Sequence, residues 1–298
     1  MKTRIGTLKL ENPTMLAAGV LGTTASSLRR VMQNGAGAVV TKSVGLYPRE
    51  GHRGPVLVEI EGGYINAMGL PNQGLEFIDE LETLRTFDDS KPIIVSIFGS
   101  DEREFIKIAT SVCRLADAIE LNLSCPHTKG YGSEIGSQPV VVETITKKIK
   151  EAVELPVWVK LTPNVTDITS IGKAAERGGA DAVVAINTVT GMAIDVESAM
   201  PVLGNTFGGV SGHIMRPIAV RCIYELYNEL DIPIVGVGGV NNYRSALELI
   251  MAGAQAIQIG SAVARDISIF KEISGGISTY LNEKNFNLHD IIGIAHRR

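Results

Sequence analysis

The stretch NLSCPHTKGYGSEIG, residues 122–136, puts an amide, a thiol and an imidazole within six positions of one another, at the head of a glycine-rich polar segment. A free thiol with a pKa near 8.5 is only about a few per cent thiolate at neutral pH. Neighbouring cations raise that fraction and turn the sulfur into a usable base or nucleophile. Pro126 disfavours helix for Cys125, so this thiol is expected on a loop and not in a core. The other two cysteines, Cys113 and Cys222, sit on helical patterns beside Val112 and Ile223 and read as packing. Three cysteines without a CxxC pair supply neither a disulfide framework nor a zinc site. His127 is an orienter for the thiol or a solvent-facing side chain. A Cys-His acyl-transfer nucleophile would need an oxyanion hole and a fixed imidazole, and no residues here identify either.

Further polar residues stand where short apolar runs end. Lys42 follows residues 39–41, Ser96 lies near the end of 94–97, Asn122 closes 119–121, and Lys160 closes 157–159. Asn187 and Thr188 follow 183–186, Gly238 and Gly239 follow one late run, and Gly260 and Ser261 follow the last. Lysine is rarely buried without a partner, so inward-pointing Lys42 and Lys160 imply an anionic or polar ligand. The late glycines suit phosphate held by backbone N–H groups and a helix N-terminus, with 208–212 (GGVSG) as a further source of donors. Neither GxGxxG nor GxxxxGK[ST] occurs, so the phosphate is expected on a mononucleotide cofactor or a phosphorylated substrate. In 63–72 (GYINAMGLPN), apolar residues flank Asn66. That suits a flat substrate that must be both packed and hydrogen-bonded, or a structural cover.

The elements that would position these groups alternate. β-rich apolar runs occur at 15–18, 38–41, 93–97, 118–122, 157–161, 182–186, 234–237 and 256–259. Fully apolar runs suit parallel strands covered on both faces. Amphipathic patterns lie between them at 26–34, 73–84, 102–113, 140–152, 167–177, 216–229 and 243–251. Glycines directly after the patterns, as at 35, 178–179 and 253, fit left-handed C-caps. Two connections are longer, 42–72 and 187–215, and residues 3–10 read as a small hairpin under the barrel. The expectation is an α/β fold: one (β/α)8 TIM barrel over residues 1–298, with an N-terminal hairpin and long βα-loop insertions above the site.

With 298 residues, 45% of them hydrophobic, the chain can bury a large core, and a net charge of −4 provides no basic surface for nucleic acid. No signal-peptide pattern opens it and no apolar run reaches membrane-spanning length. A soluble cytoplasmic protein is expected.

The motifs TKSV, INAMGLPNQG, ELNLSCPHTKG, VKLTPNVTDI, AINTVTGMAID, GGVSGHIMRPIA, VGVGGV and QIGSA occur in order along nearly the whole chain. Together they resemble the dihydroorotate dehydrogenase family, flavin enzymes of pyrimidine synthesis. GMAID, PVLGNTFGGVSG and the closing GIAHRR look most like the catalytic subunit of its class 1B form. The resemblance implies oxidation of (S)-dihydroorotate to orotate, with Cys125 removing the C5 proton while hydride leaves C6 for N5 of FMN. It implies that Lys42 contacts both flavin and substrate, and that Lys160 places a positive charge near the flavin N1–O2 edge. Asn66, Asn122, Asn187 and Thr188 would hydrogen-bond the substrate, with Ala67, Met68, Gly69 and Leu70 lining its site. Ala18, Ser43, Ser96, Asn122, Ile186 and Gly212 would touch FMN, and Gly238, Gly239, Gly260 and Ser261 would hold its phosphate. Ser96 stands where the family more often has asparagine, and His127 where asparagine commonly follows CP.

Class 1B enzymes pair this barrel with an electron-transfer subunit carrying FAD and a [2Fe-2S] cluster, as a heterotetramer built on a homodimer, and pass electrons to NAD. Three scattered cysteines cannot hold such a cluster, so FAD and iron–sulfur are expected on the partner only and no metal on this chain. The membrane-bound class uses serine as base and an N-terminal extension for which residues 1–14 leave no room. The alternatives are a class 1A-like enzyme reducing fumarate unaided, a dihydropyrimidine- or dihydrouridine-type flavin reductase, and a non-catalytic phosphate-binding barrel. The last would have no need for a loop thiol flanked by strand-end lysines.

Overall fold

The computed structural model describes residues 1–87, 91–123 and 133–297. Eight parallel strands close into a barrel: β1 (Thr14–Leu16), β2 (Ala38–Val40), β3 (Ile93–Ile97), β4 (Ala118–Asn122), β5 (Val157–Leu161), β6 (Ala182–Ala185), β7 (Ile234–Val237) and β8 (Ala256–Ile259). Closure is made by β8 on β1, where Ile257 pairs with Thr14 and Ile259 with Leu16. This is the TIM barrel expected from the sequence. The strand runs hold almost to the residue, with β1 shifted to begin at Thr14.

Side-chain alternation explains why these strands are apolar throughout. One set of positions, including Met15, Val40, Ile94, Trp158, Val184 and Val235, fills the barrel interior. The alternate set, including Val39, Val95, Ile119, Val159 and Ile257, packs outward against the helices. Strands Thr3–Ile5 and Leu8–Leu10 form the N-terminal hairpin. It plugs the lower end, with Ile5 and Leu10 joining the interior cluster and Thr3 Oγ1 donating to the Gln255 carbonyl at 3.2 Å. Burial of each such side chain stabilises by about 1.5–3 kcal/mol.

Helix starts are marked as the sequence suggests. Asp101 caps Glu102–Val112 by accepting from the Glu104 N–H, and Asp167 caps Ile168–Arg177 by accepting from Thr169 and Ser170. The helix Tyr243–Ala252 ends on Gly253 at φ +131°. A Cβ there would fall 2.4 Å from the Tyr227 ring, so only glycine turns the chain back into β8. Two aspartates just before strands repeat one device. The Asp117 carboxylate accepts from the Ile93 N–H and Arg85, and that of Asp181 from the Val157 N–H and Lys150, each at 2.7 Å. Each ties the lower end of a strand to its neighbour and to a helix.

Both long connections, which the sequence suggested only as loops, contain strands. Leu57–Ile60, Gly63–Asn66, Val189–Gly191 and Gly208–Ser211 form a four-stranded antiparallel sheet. Its central pairing joins Asn66 to Gly209 and Ile65 to Val210. The expected helix from 73 begins instead as a 3-10 turn, Gly74–Glu76, and continues as Phe77–Phe87. No helix among the described residues is long and apolar enough to cross a membrane.

Candidate active site

Between the upper strand ends and the antiparallel sheet lies a cavity of about 450 Å³, within the range of about 300–1,000 Å³ typical of ligand sites. Strand pleating builds its floor. Trp158 points into the barrel, so Lys160, two residues on, points the same way but higher, and on β4 Glu120 and Asn122 stand in the same relation. Register sets Glu120 beside Trp158 and Asn122 beside Lys160.

Lys160 is 6% exposed, while Glu120 and Gln258 are 0% exposed. The Lys160 ammonium donates to Gln258 Oε1 at 3.3 Å and lies 3.5 Å from Glu120 Oε1. Gln258 Nε2 donates to Glu120 Oε2 at 2.7 Å. Glu120 Oε1 accepts no hydrogen bond among the described residues, so the nearby ammonium compensates its charge. This corrects one expectation: a buried Lys160 requires counter-charge, and the protein supplies it from β4 before any ligand does.

A second chain of polar groups runs across the rim. Asn122 Nδ2 donates to Ser43 Oγ at 3.0 Å, Ser43 and Ser96 share a hydroxyl–hydroxyl bond of 2.9 Å, and Asn187 Nδ2 donates to Asn122 Oδ1 at 3.4 Å. Asn187 Oδ1 in turn accepts from the Thr188 N–H at 2.8 Å. Each amide is thereby held by neighbours from other strands, which fixes the donors and acceptors it presents.

The sheet roofs the cavity. Asn66 Nδ2 donates to the Gly209 carbonyl at 3.1 Å, and Tyr64, Met68, Gly69, Leu70 and Val210 line the walls. The Arg265 guanidinium, beyond β8, pairs with Glu59 and donates from Nε to the Tyr64 hydroxyl at 3.1 Å, tying the roof to the rim. On the opposite side Gly238 and Gly239 adopt φ of +128° and +76°. A Cβ on Gly239 would meet the Arg216 backbone nitrogen at 2.6 Å, so the chain passes close to the start of Arg216–Tyr227 only because that position is glycine.

Of the residues singled out in the sequence, Ala18, Lys42, Ser43, Asn66, Met68, Gly69, Leu70, Asn122, Lys160, Ile186, Asn187, Thr188, Gly212, Gly238, Gly239, Gly260 and Ser261 all border this one cavity. Two do not. Ser96 is fully buried behind Ser43, because it lies within β3 and not beyond its end. Ala67 is fully buried with Ile65 and Leu203 under the sheet, because alternation along the strand turns it away from its neighbours Asn66 and Met68. Cys125 and His127 lie outside the described residues. Cys222 is fully buried, and burial pushes its thiol up; Cys113 Sγ donates to the Thr110 carbonyl at 3.1 Å on its own helix.

Sequence reasoning passed over Met215, Gln258 and, beneath them, Glu120. For Glu120 and Gln258 a signal existed. Glu120 is the one charged residue in AIELN and Gln258 the one polar residue in AIQI, each in phase with the inward-facing positions.

The family profile described as dihydroorotate dehydrogenase matches residues 1–281. A relative from Methanocella arvoryzae, named dihydroorotate dehydrogenase B (NAD(+)), catalytic subunit, is 57% identical over 293 residues, covering 98% of this chain and 96% of its own. Relatives of the same name from Methanosarcina mazei and Pyrococcus horikoshii are 55% and 51% identical, covering 97% and 99% of this chain and 93% and 97% of theirs. A crystal structure of DHODH from Eimeria tenella in complex with ferulenol superposes with a TM-score of 0.87 at 22% identity, covering 100% of this chain and 89% of that one; it bears on the fold alone.

Proposed function

The chain belongs to the dihydroorotate dehydrogenase family, and on that premise we propose that it oxidises (S)-dihydroorotate to orotate in pyrimidine biosynthesis as the FMN-binding catalytic subunit of an NAD-linked enzyme. Residues 1–298 are read as one FMN-binding barrel domain, working in the cytoplasm. The observation that carries the proposal is the cavity itself, which gathers a buried ammonium, a braced pair of amides, apolar walls and a glycine-built turn within about 450 Å³.

Those features fit FMN. A flat ring system would be held among Ala17, Ala18, Val20, Ile186 and Lys160, and the phosphate would be held at Gly238, Gly239, Gly260 and Ser261. When bound, flavin supplies a two-electron acceptor for the hydride at substrate C6. The protein does the rest. Cys125 takes the C5 proton. Asn66, Asn122, Asn187 and Thr188 orient the pyrimidine and its carboxylate, and Lys42 adds positive charge at the same rim. The roof formed by Tyr64, Met68, Leu70 and Val210 excludes water from the reacting face.

Gly239→Ala is expected to weaken FMN binding at least about tenfold. A Cβ would press on the Arg216 backbone at 2.6 Å and sit on a backbone with positive φ, which displaces the turn. Fluorescence titration of the apoprotein with FMN measures the loss.

The relatives' names describe a catalytic subunit and NAD. A partner subunit follows for this chain; that it carries FAD and [2Fe-2S], in a heterotetramer built on a homodimer, is part of the proposal. The purified chain should be yellow, bleach when dihydroorotate is added without oxygen, and reduce NAD only after its partner is supplied. A colourless chain, or one whose flavin ignores dihydroorotate, sinks the functional reading. Rapid NAD reduction by the chain alone removes the partner from it, and unaided turnover with fumarate would favour the class 1A alternative.

A further inference from the structure

The triad Glu120, Gln258 and Lys160 stands out from its surroundings. In the strand ladders its neighbours are Ser96 and Trp158 beside Glu120, Asn122 and Val184 beside Lys160, and Val237 and Met15 beside Gln258. None of those neighbours carries a charge, and an ion pair buried in place of apolar packing gains nothing in stability on average. Only part of the triad reaches the ligand: Lys160 and Gln258 line the cavity, and Glu120 is not among the residues that do. The carboxylate is thus separated from any bound molecule by the two side chains it holds.

We propose that Glu120 is a positioning residue that, through Gln258 and Lys160, sets how tightly the bound flavin retains electrons. This rests on the functional reading above. A cofactor that takes up two electrons gains negative charge, and a fixed ammonium beneath it favours that state. Glu120 draws the ammonium downward and offsets its charge. The other charged group that lines the cavity on a described residue is Lys42. The inward positions of β1, β3, β6, β7 and β8 at this level are uncharged, and residues 124–132 lie outside the described ones. An unopposed lysine would over-stabilise reduced flavin, whereas an enzyme that hands its electrons onward needs them releasable. The buried carboxylate meets that need.

The test is the midpoint potential of FMN on the loaded full-length chain, set by dye equilibration in the absence of dihydroorotate. Glu120→Gln should favour the reduced form at least about tenfold, which for a two-electron couple is about 30 mV upward. Glu120→Asp, which keeps the charge, should stay within about threefold of the parent. Adding Glu120→Gln to Lys160→Gln should change the equilibrium less than about threefold, because the carboxylate acts through the lysine. If Glu120→Gln fails to fold, Glu120→Met, which likewise removes the charge that lies 3.5 Å from the Lys160 ammonium, should move the potential the same way. An unchanged or lowered potential in the variant that folds overturns the proposal, as does a shift of equal size with and without Lys160. A parent chain that holds no FMN would instead overturn the functional reading, so the two failures are distinct.

Discussion

Replacing Cys125 with alanine is expected to leave FMN bound and to slow its reduction by dihydroorotate about 10²–10⁴-fold, the usual worth of a positioned general base. Binding survives because the groups assigned to FMN, from Lys160 to the glycines at 238–239 and 260–261, belong to other strands and loops. Chemistry suffers because the hydrogen at C5 is bound to carbon and leaves slowly without a base. On the proposed role the working form is the thiolate, so in the parent enzyme the rate should climb with pH through the thiol's titration and level off above it. The alanine variant should lose that rise. Anaerobic stopped-flow absorbance follows the flavin directly, and reduction at near-parental rate would remove Cys125 from the role of base.

Lys160→Met is expected to destabilise the apoprotein by about 3–5 kcal/mol, the cost of breaking a buried ion pair from one side. Glu120 is 0% exposed and would keep its bond from Gln258 while losing the ammonium 3.5 Å away. Adding Glu120→Gln to that variant should recover most of the loss, since it removes the stranded charge. Urea unfolding of the parent, both single variants and the double variant closes the cycle. Equal stability of the parent and Lys160→Met would mean that Glu120 is not left as an uncompensated buried charge.

Eight apolar runs, the polar residues that end them and the glycines between helix and strand were legible because they obey local rules. Pleating decides which side chains face inward, and a positive φ selects glycine at Gly253 and Gly239. The fold class and most of the cavity's lining follow from those rules. The two lysines and the asparagines were readable as a rim because strand ends of such a barrel share one face. The placement of Ala67 and Ser96 was not, since whether a residue lines a cavity or backs it depends on one step of alternation at a strand end.

Tertiary structure alone decided the roof and the floor. The roof pairs residues 63–66 with 208–211, segments too far apart in the chain for any local pattern to announce their pairing. The floor joins Glu120 and Lys160 of the neighbouring strands β4 and β5 to Gln258 of β8, which comes across to them only when the barrel closes. Sequence could mark each as a polar residue on an inward position, but charge compensation depends on distances across the barrel, and those exist only once the sheet has curved back on itself.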